Sequence, residues 1–420
     1  MQKRRDFLKL SAVAAGAAFV TNGSIADAQT VPDPIKQLKP MLDGIVPISD
    51  EERWDRIDKA QKLMTQTGIG AIFIEPGTSS FYYTGMRTWI SERMIALIIP
   101  AKGELAWVCP KFEEDRMKEI IRFGKDIRTW EEDDSPYKVV AGIFKDRGLR
   151  SGKIGIEERV RFFLLDGIRN EAGAYDYVSA VPITAGCRMY KSPAEIALMQ
   201  RANDITIVAY KATTATLKEG MTPADFEANC RSAFRELGVS GGADANFGPA
   251  SASSHGSLMP QQLKEGDIVL MDGGCSVEGY QSDISRTVVF GKPTQRQRDI
   301  WNLARRAQDA AYAAAKVGVP CEDVDAAARK VIVDAGFGPD YKVPGLPHRT
   351  GHGIGLDGHE WTYLVRGNKT PLQPGMCFSD EPTVSIPGEF GVRHEDCMYI
   401  TEERARFFTQ QSPSIDQPFL

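Results

Sequence analysis

The 420-residue chain is expected to fold as two domains, an α/β unit followed by an α+β unit. Three observations predict this. Apolar strand-like runs alternate with helical patterns up to about residue 190. Beyond that point strong helix starts come first and short strands follow. All five histidines, His255, His348, His352, His359 and His394, fall in the second unit. The composition is that of a globular protein, 42% hydrophobic and 25% charged. A net charge of −5 with no long run of one sign argues against a nucleic-acid or anionic-membrane partner.

The chain opens with "MQKRRDFLKLSAVAAGAAFV", a basic start and an apolar run from Leu10 to Val20 that is too short to span a bilayer. Ala26-Asp27-Ala28 fits a small-x-small cleavage site. Residues 1–28 therefore read as an export signal, and Arg4-Arg5-Asp6-Phe7-Leu8-Lys9 resembles the twin-arginine type. The expected destination is periplasmic or secreted, with no stable membrane anchor once the signal is removed. That route carries folded proteins, often with a cofactor already inserted.

Residues 29–48 are Pro-rich and aperiodic, an extended lead-in. The first domain is placed at 49–190. Ser49-Asp50-Glu51-Glu52 is a capping box before an amphipathic helix ending near Gly68. "IGAIFIE" reads as a strand, "MIALIIP" and "LAWVCP" as a hairpin around Lys102-Gly103, and "GKIGIEE" as another strand. The second domain is placed at 191–405, with 406–420 as a C-terminal tail. It starts with Ser192 as N-cap, Pro193 at the first helical position and Glu195 closing the box. Thr222-Pro223-Ala224-Asp225 repeats the device, and Thr294-Gln295-Arg296-Gln297 opens a third helix. "DIVLMDGG", "SDISRTVVFG", "MCFSDEPTVSI" and "DCMYITEE" read as strands.

The chemistry concentrates in this second domain. Asp272 ends one apolar strand and Asp283 opens another. On one continuous strand their odd separation would put them on opposite faces. Gly273, Gly274 and Gly279 break the run, so a hairpin through "CSVEGYQ" can bring both carboxylates to one face. Glu381 and Glu395 are likewise flanked by apolar strand residues. Carboxylates facing a core repel at a cost of several kcal/mol unless a cation lies between them. Four carboxylates and His352 form a mostly hard-oxygen donor set. It suits two divalent ions, and manganese, iron or cobalt better than a thiolate-bound zinc. The seven cysteines are scattered, with no C-x-x-C pair. Cys275, Cys377 and Cys397 read as small buried apolar residues. In "RTGHGIGLDGHE", Gly351, Gly353, Gly355 and Gly358 forbid a stable helix. A glycine-rich strand and loop would aim His352 and His359 at one cavity.

"SSHG", "VLMDGGCSVEGYQSDISRTVVFG", "HRTGHGIGLDGHE", "DEPTV" and "GVRHED" resemble, in order, the motifs of the pita-bread metallopeptidases, a superfamily that includes methionine aminopeptidase, aminopeptidase P, prolidase and creatinase. The spacings are similar to those of the prolidase and aminopeptidase P branch, and the first domain resembles that branch's creatinase-like N-terminal domain. The resemblance implies a creatinase-like α/β domain followed by an α+β pita-bread catalytic domain. It implies Asp272 as ligand to one metal, Asp283 and Glu395 as bridges, and His352 and Glu381 completing the set. Two divalent ions per chain are expected, manganese first, with cobalt, iron or zinc as alternatives.

The implied reaction is hydrolysis of Xaa-Pro bonds through a metal-bridging hydroxide, on dipeptides or peptide N-termini. Glu381 would shuttle the proton, and His359 and His255 would hydrogen-bond the peptide group and oxyanion. His348, Arg349 and Arg366 are candidates for substrate binding, and Arg393 for orienting Glu395. The expected partner is a proline-containing peptide, and a homodimer is expected. Two positions depart from the family pattern: Thr383 stands where glycine is usual and His394 where an apolar residue is usual, so either could reshape the pocket wall. The alternatives are a lyase on the same fold, similar to enzymes that cleave dimethylsulfoniopropionate; a phosphotriester hydrolase side activity; and a non-catalytic binding protein, which the intact ligand set opposes.

Overall fold

The computed structural model describes residues 31–254 and 256–419. The expected export signal and His255 lie outside the described residues. Among these, no helix is long and apolar enough to cross a membrane.

The first part of the chain runs α1 (Asp33–Lys36), α2 (Asp50–Thr67), β1 (Ile69–Ile74), α3 (Thr78–Thr84), β2 (Ala96–Pro100), β3 (Ala106–Pro110), α4 (Glu114–Ile120), β4 (Asp126–Trp130), α5 (Pro136–Asp146), β5 (Gly152–Ile156), α6 (Phe162–Glu171), β6 (Tyr175–Ser179) and α7 (Val181–Arg188). Its six-stranded sheet has the order β4-β3-β2-β1-β5-β6. The expected hairpin is there, β2 pairing antiparallel with β3 and Ala96 opposite Val108. Strands β4 and β6 were not expected; their residues are half-buried and carry no long apolar run. Ser49 accepts the Glu52 N–H at 3.1 Å, and Gly68 ends α2 at φ +70°. The box is only half closed, because Glu52 bonds Arg56 and Ser192 instead. The lead-in is not merely extended: α1 buries Ile35 completely, and the Met41 N–H reaches the Leu237 carbonyl.

The second part runs α8 (Pro193–Thr214), α9 (Pro223–Glu236), β7 (Gly241–Phe247), β8 (Ile268–Val277), β9 (Tyr280–Gln281), β10 (Ile284–Val289), α10 (Gln295–Ala314), α11 (Cys321–Asp334), β11 (Gly351–Gly353), β12 (Glu360–Leu364), β13 (Cys377–Asp380), β14 (Thr383–Ile386), β15 (Phe390–Arg393), β16 (Asp396–Ile400) and β17 (Ala405–Phe407). The capping boxes at Ser192, Thr222 and Thr294 all close. The strands form antiparallel sheets ordered β10-β8-β7 and β12-β11-β13-β16-β17, with a separate β14-β15 pair.

"MCFSDEPTVSI" is not one strand. Pro382 has no N–H to give a ladder, so β13 and β14 part around it and join different sheets. Residues 406–420, read as a C-terminal tail, pack against the second part: β17 pairs with β16 across residue 405, and Phe408, Ser412 and Ile415 are buried. One apolar core runs from α2 and β1 through α8 to β8 and β10 and so joins the domains.

Candidate metal centre

The hairpin register settles the question of faces. Ser285 on β10 sits opposite Asp272 on β8, and Ile284 opposite Gly273. Asp283 therefore lies diagonally from Asp272, two residues along, and shares its face. The crossing needs glycine at 274: a Cβ there would lie 2.1 Å from the Ser282 carbonyl oxygen. Glu395 precedes β16 and docks on this hairpin through its N–H to the Ser285 carbonyl, 3.3 Å. His352 is the middle residue of β11. Glu381 falls in the break that Pro382 forces after β13, its N–H held by the Thr350 carbonyl at 2.8 Å.

These five side chains converge. Ligand atoms of Asp272, Asp283 and Glu395 lie within 4.8 Å of one another, as do those of His352, Glu381 and Glu395. His359 joins Asp283 and His352 in a third such group, its ring stacked on that of His352 at 3.7 Å between centroids and 16°. Glu395 and His352 are buried, while Asp272 and Asp283 keep some exposure on the open side.

Two serines that the sequence reading did not single out tie the cluster together. Ser285 Oγ lies 2.8 Å from Asp272 Oδ1 and 2.6 Å from Glu395 Oε2. Ser379 Oγ donates to Glu381 Oε1 at 3.1 Å and accepts the His352 N–H at 3.0 Å. Each stands two residues before or after an acid, Ser285 after Asp283 and Ser379 before Glu381. The two-residue period of a strand was the signal that could have found them.

The electrostatics are unbalanced. Burial pushes Asp283 well above the usual carboxylate range, and Asp272 and Glu381 push it further. Glu395 is driven the same way by burial and by Asp283. Burial raises Glu381 to about 7, with Arg393 opposing and Asp272 adding. Burial also penalises the Asp272 carboxylate, but Arg393 and the Ser285 hydrogen bond outweigh it and hold its pKa below the usual range. Burial, then His359, depresses His352 to about 3, so its ring is neutral. His352 Nδ1 faces the Gly353 carbonyl at 3.1 Å and is therefore the protonated nitrogen. The Nε2 lone pair then points at Glu381 Oε1, 3.3 Å, and Asp283 Oδ2, 3.7 Å. A lone pair aimed at carboxylate oxygens repels them unless a cation lies between. The donor set fits divalent metal, and its oxygen-rich character matches hard ions.

The remaining candidates divide. Arg393 donates to Ser285 Oγ at 2.7 Å and ion-pairs with Asp272, while Glu395 is 3.9 Å away, so its main grip is on Asp272. Arg349 lies over the Tyr363 ring at 4.2 Å and reaches His359 Nδ1 at 3.4 Å, beside the cluster. His348 Nε2 bonds Thr383 Oγ1 at 2.8 Å, so the threonine that replaces glycine fixes a histidine at the site. His394 does not line a pocket wall: it is buried edge-on against Trp301 of α10, 4.2 Å between centroids. Arg366 pairs with Asp340 at the surface, its charge already matched. All seven cysteines are free and buried.

The fold and this donor set define a two-domain metal-dependent hydrolase. Residues 197–402 match metallopeptidase family M24, and residues 56–190 match the creatinase/prolidase N-terminal domain. The chain is 34% identical over 355 residues to a probable dipeptidase PepE of Mycobacterium tuberculosis, covering 83% of this chain and 92% of that one. It is 29% identical over 365 residues to a Xaa-Pro dipeptidase of Lactobacillus delbrueckii, covering 86% and 98%. A solved prolidase from Thermococcus sibiricus superposes with a TM-score of 0.78 at 28% identity, covering 87% and 98%. The chain belongs to metallopeptidase family M24, with the creatinase-type N-terminal domain and pita-bread catalytic fold.

Proposed function

We propose that this protein hydrolyses Xaa-Pro peptide bonds, as a dipeptidase or an aminopeptidase, with two divalent ions held by Asp272, Asp283, His352, Glu381 and Glu395. The observation that carries the reading is the neutral His352 Nε2 facing carboxylates that, among the described residues, only Arg393 ion-pairs, with Arg349 acting from further off. Manganese is the ion we favour, on the hardness of the oxygen donors. When bound, the ions would polarise the scissile carbonyl and lower the pKa of a water.

The chain's own residues do the rest. A prolyl amide has no N–H and its nitrogen is crowded by the ring, so the departing nitrogen must be given a proton. Glu381, held by Ser379, can take a proton and deliver it there. His359, oriented by its stack on His352 and by Arg349 at Nδ1, presents Nε2–H to the developing oxyanion. His255, outside the described residues, would assist at the oxyanion. Arg349, steadied on Tyr363, is our candidate to meet a substrate carboxylate, with His348 shaping the same wall.

The test pairs Xaa-Pro and Xaa-Ala peptides with a sulfonium propionate on manganese-loaded protein. Xaa-Pro cleavage is expected. The named relatives are peptidases and prolidases, which favours hydrolysis over the lyase alternative. Sulfonium cleavage without Xaa-Pro hydrolysis would reverse that preference. Export through the twin-arginine route and a homodimer complete the proposal. Replacing Arg4 and Arg5 with lysine should hold the precursor in the cytoplasm, and light scattering should give twice the chain mass.

A further inference from the structure

His359 sits in a stretch with little stiffness of its own. Gly353, Gly355 and Gly358 precede it, and its side chain stands on the exposed side of the cluster. A group meant to meet a developing charge must nevertheless be held within a fraction of an ångström. The residues that hold this stretch come from the other domain.

Two carboxylates flank His359, Asp357 two residues before it and Glu360 one after. Arg188, the last residue of α7, donates through Nη2 to Asp357 Oδ2 at 2.6 Å and to Glu360 Oε1 at 2.8 Å. Its Nη1 reaches Ser79 Oγ at 3.3 Å. Thr78 Oγ1 donates to Asp357 Oδ1 at 2.7 Å, and Arg159 pairs with Asp357 at 3.0 Å. From the linker between the domains, Lys191 Nζ reaches Glu360 Oε2 at 3.3 Å. The Asp357 N–H closes the turn on Glu360 Oε1 at 2.9 Å. Arg188, Lys191 and Glu360 are all buried. At Gly355 a Cβ would lie 2.7 Å from Lys191 Cε and 2.9 Å from Glu360 Oε1, so a side chain there would push the ends of this clamp aside. A cavity of about 190 Å³ lies against this clamp, lined by Arg159, Arg188 and Met189 on one side and by His359, Trp361 and Tyr363 on the other.

We infer that Arg188 is a positioning residue: by gripping Asp357 and Glu360 together it fixes the turn that aims His359, so the N-terminal domain sets the geometry of the catalytic centre. The inference rests on the reading above that His359 acts on the substrate. The forked guanidinium is the essential feature, since one lysine ammonium cannot serve both carboxylates and Ser79 in the same plane.

The test uses Arg188→Lys and, because a buried arginine is risky to change, Asp357→Asn, each made alone and with His359→Gln. Manganese-loaded protein is assayed for kcat, KM and metal content on an Xaa-Pro peptide. In parallel, zinc-loaded protein labelled at its histidine rings is followed by NMR. Each single change should lower kcat about 10-fold, as for residues that orient a site from one layer out, with metal content unchanged. In the His359→Gln background the same change should cost less than about twofold, the mark of residues acting as one unit. The His359 ring signal should shift or broaden while that of His394 stays in place. Losses that multiply in the two backgrounds, or a His359 signal that does not move, would overturn the inference. Should the unmodified protein fail to cleave Xaa-Pro peptides, the proposed function falls, and the ring signals still decide whether Arg188 sets His359.

Discussion

Two groups of buried and half-buried acids lie on either side of His359, and they are balanced in opposite ways. Asp357 and Glu360 are met by Arg188, Arg159 and Lys191. Burial opposes the Glu360 charge, yet Lys191 and Arg188 hold its carboxyl down at about 2. Glu395 is buried to a similar degree, but burial and Asp283 push its carboxyl well up. The same penalty for desolvation acts on both. The difference is the supply of cations. In one cluster the chain provides them all, and the result is a structural joint. In the other, four carboxylates and an imidazole lone pair share Arg393, and the missing charge must come from outside. Buried acids that the chain leaves unmatched identify a ligand site more sharply than buried acids alone.

The comparison breaks most visibly when an acid is removed from each side. Asp283→Asn should lose metal, measured as ions per chain, and lose more turnover than the roughly 10- to 100-fold expected for a residue outside the ligand set. Two ions retained would end the bridging assignment. Glu360→Gln takes one partner from a buried ion pair, which costs about 3–5 kcal/mol. Denaturant unfolding should show that loss with or without metal. Unchanged stability would mean that the joint is not the source of Glu360's low pKa.

His359→Gln comes next in size. One lost oxyanion donor lowers kcat by about 10² to 10³, and both ions should remain. Metal loss in this variant would place His359 among the ligands, as its nearness to Asp283 and His352 allows.

How far this centre was legible follows from sequence separation. Asp272, Asp283, Glu381 and Glu395 were readable because each lies in or beside a short apolar strand, where a polar residue needs a reason, and His352 because glycines surround it. The capping boxes were readable because their partners lie three residues apart. Strands β4 and β6, half-buried and short, left no such trace. Nothing local pairs Arg188 with Glu360, 172 residues on. Arg188 ends a helix like any last-turn arginine, and only the docking of α7 against the His359 turn gives it partners. The splitting of "MCFSDEPTVSI" was available from Pro382 alone, since a strand interior does not tolerate it.

The smallest effect is the one that separates the clusters by sign. In protein stripped of metal by a chelator, Asp283, Glu381 and Glu395 hold protons more tightly when folded than when unfolded. Their contribution to stability is fully present only below the unfolded values, about pH 4. It is lost as pH rises, through about 7 for Glu381 and higher for the other two. Glu360 runs the other way: its contribution is present above about pH 4.5, and is lost as pH falls through about 2. From pH 5 to pH 8 these three carboxylates lose stability steadily, while the buried neutral His352 and His394, held at about 3, regain theirs only up to about pH 6.5, so the melting temperature of the stripped protein should fall most clearly between pH 6.5 and pH 8. Each unshared proton changes stability by about 1.4 kcal/mol per pH unit, which in a chain this long moves Tm by about 2 °C or less per kcal/mol. Loaded protein should do the reverse, because metal competes with those protons and binds better as pH rises. Asp283→Asn removes one repelling charge, so at pH 8 the stripped variant should melt above the stripped parent and depend less on pH. Differential scanning fluorimetry with and without chelator reads all four traces. A stripped parent whose Tm is flat or rising over this range, or a stripped Asp283→Asn that melts below it, would show that the carboxylates at this centre are compensated from within, like those around Arg188.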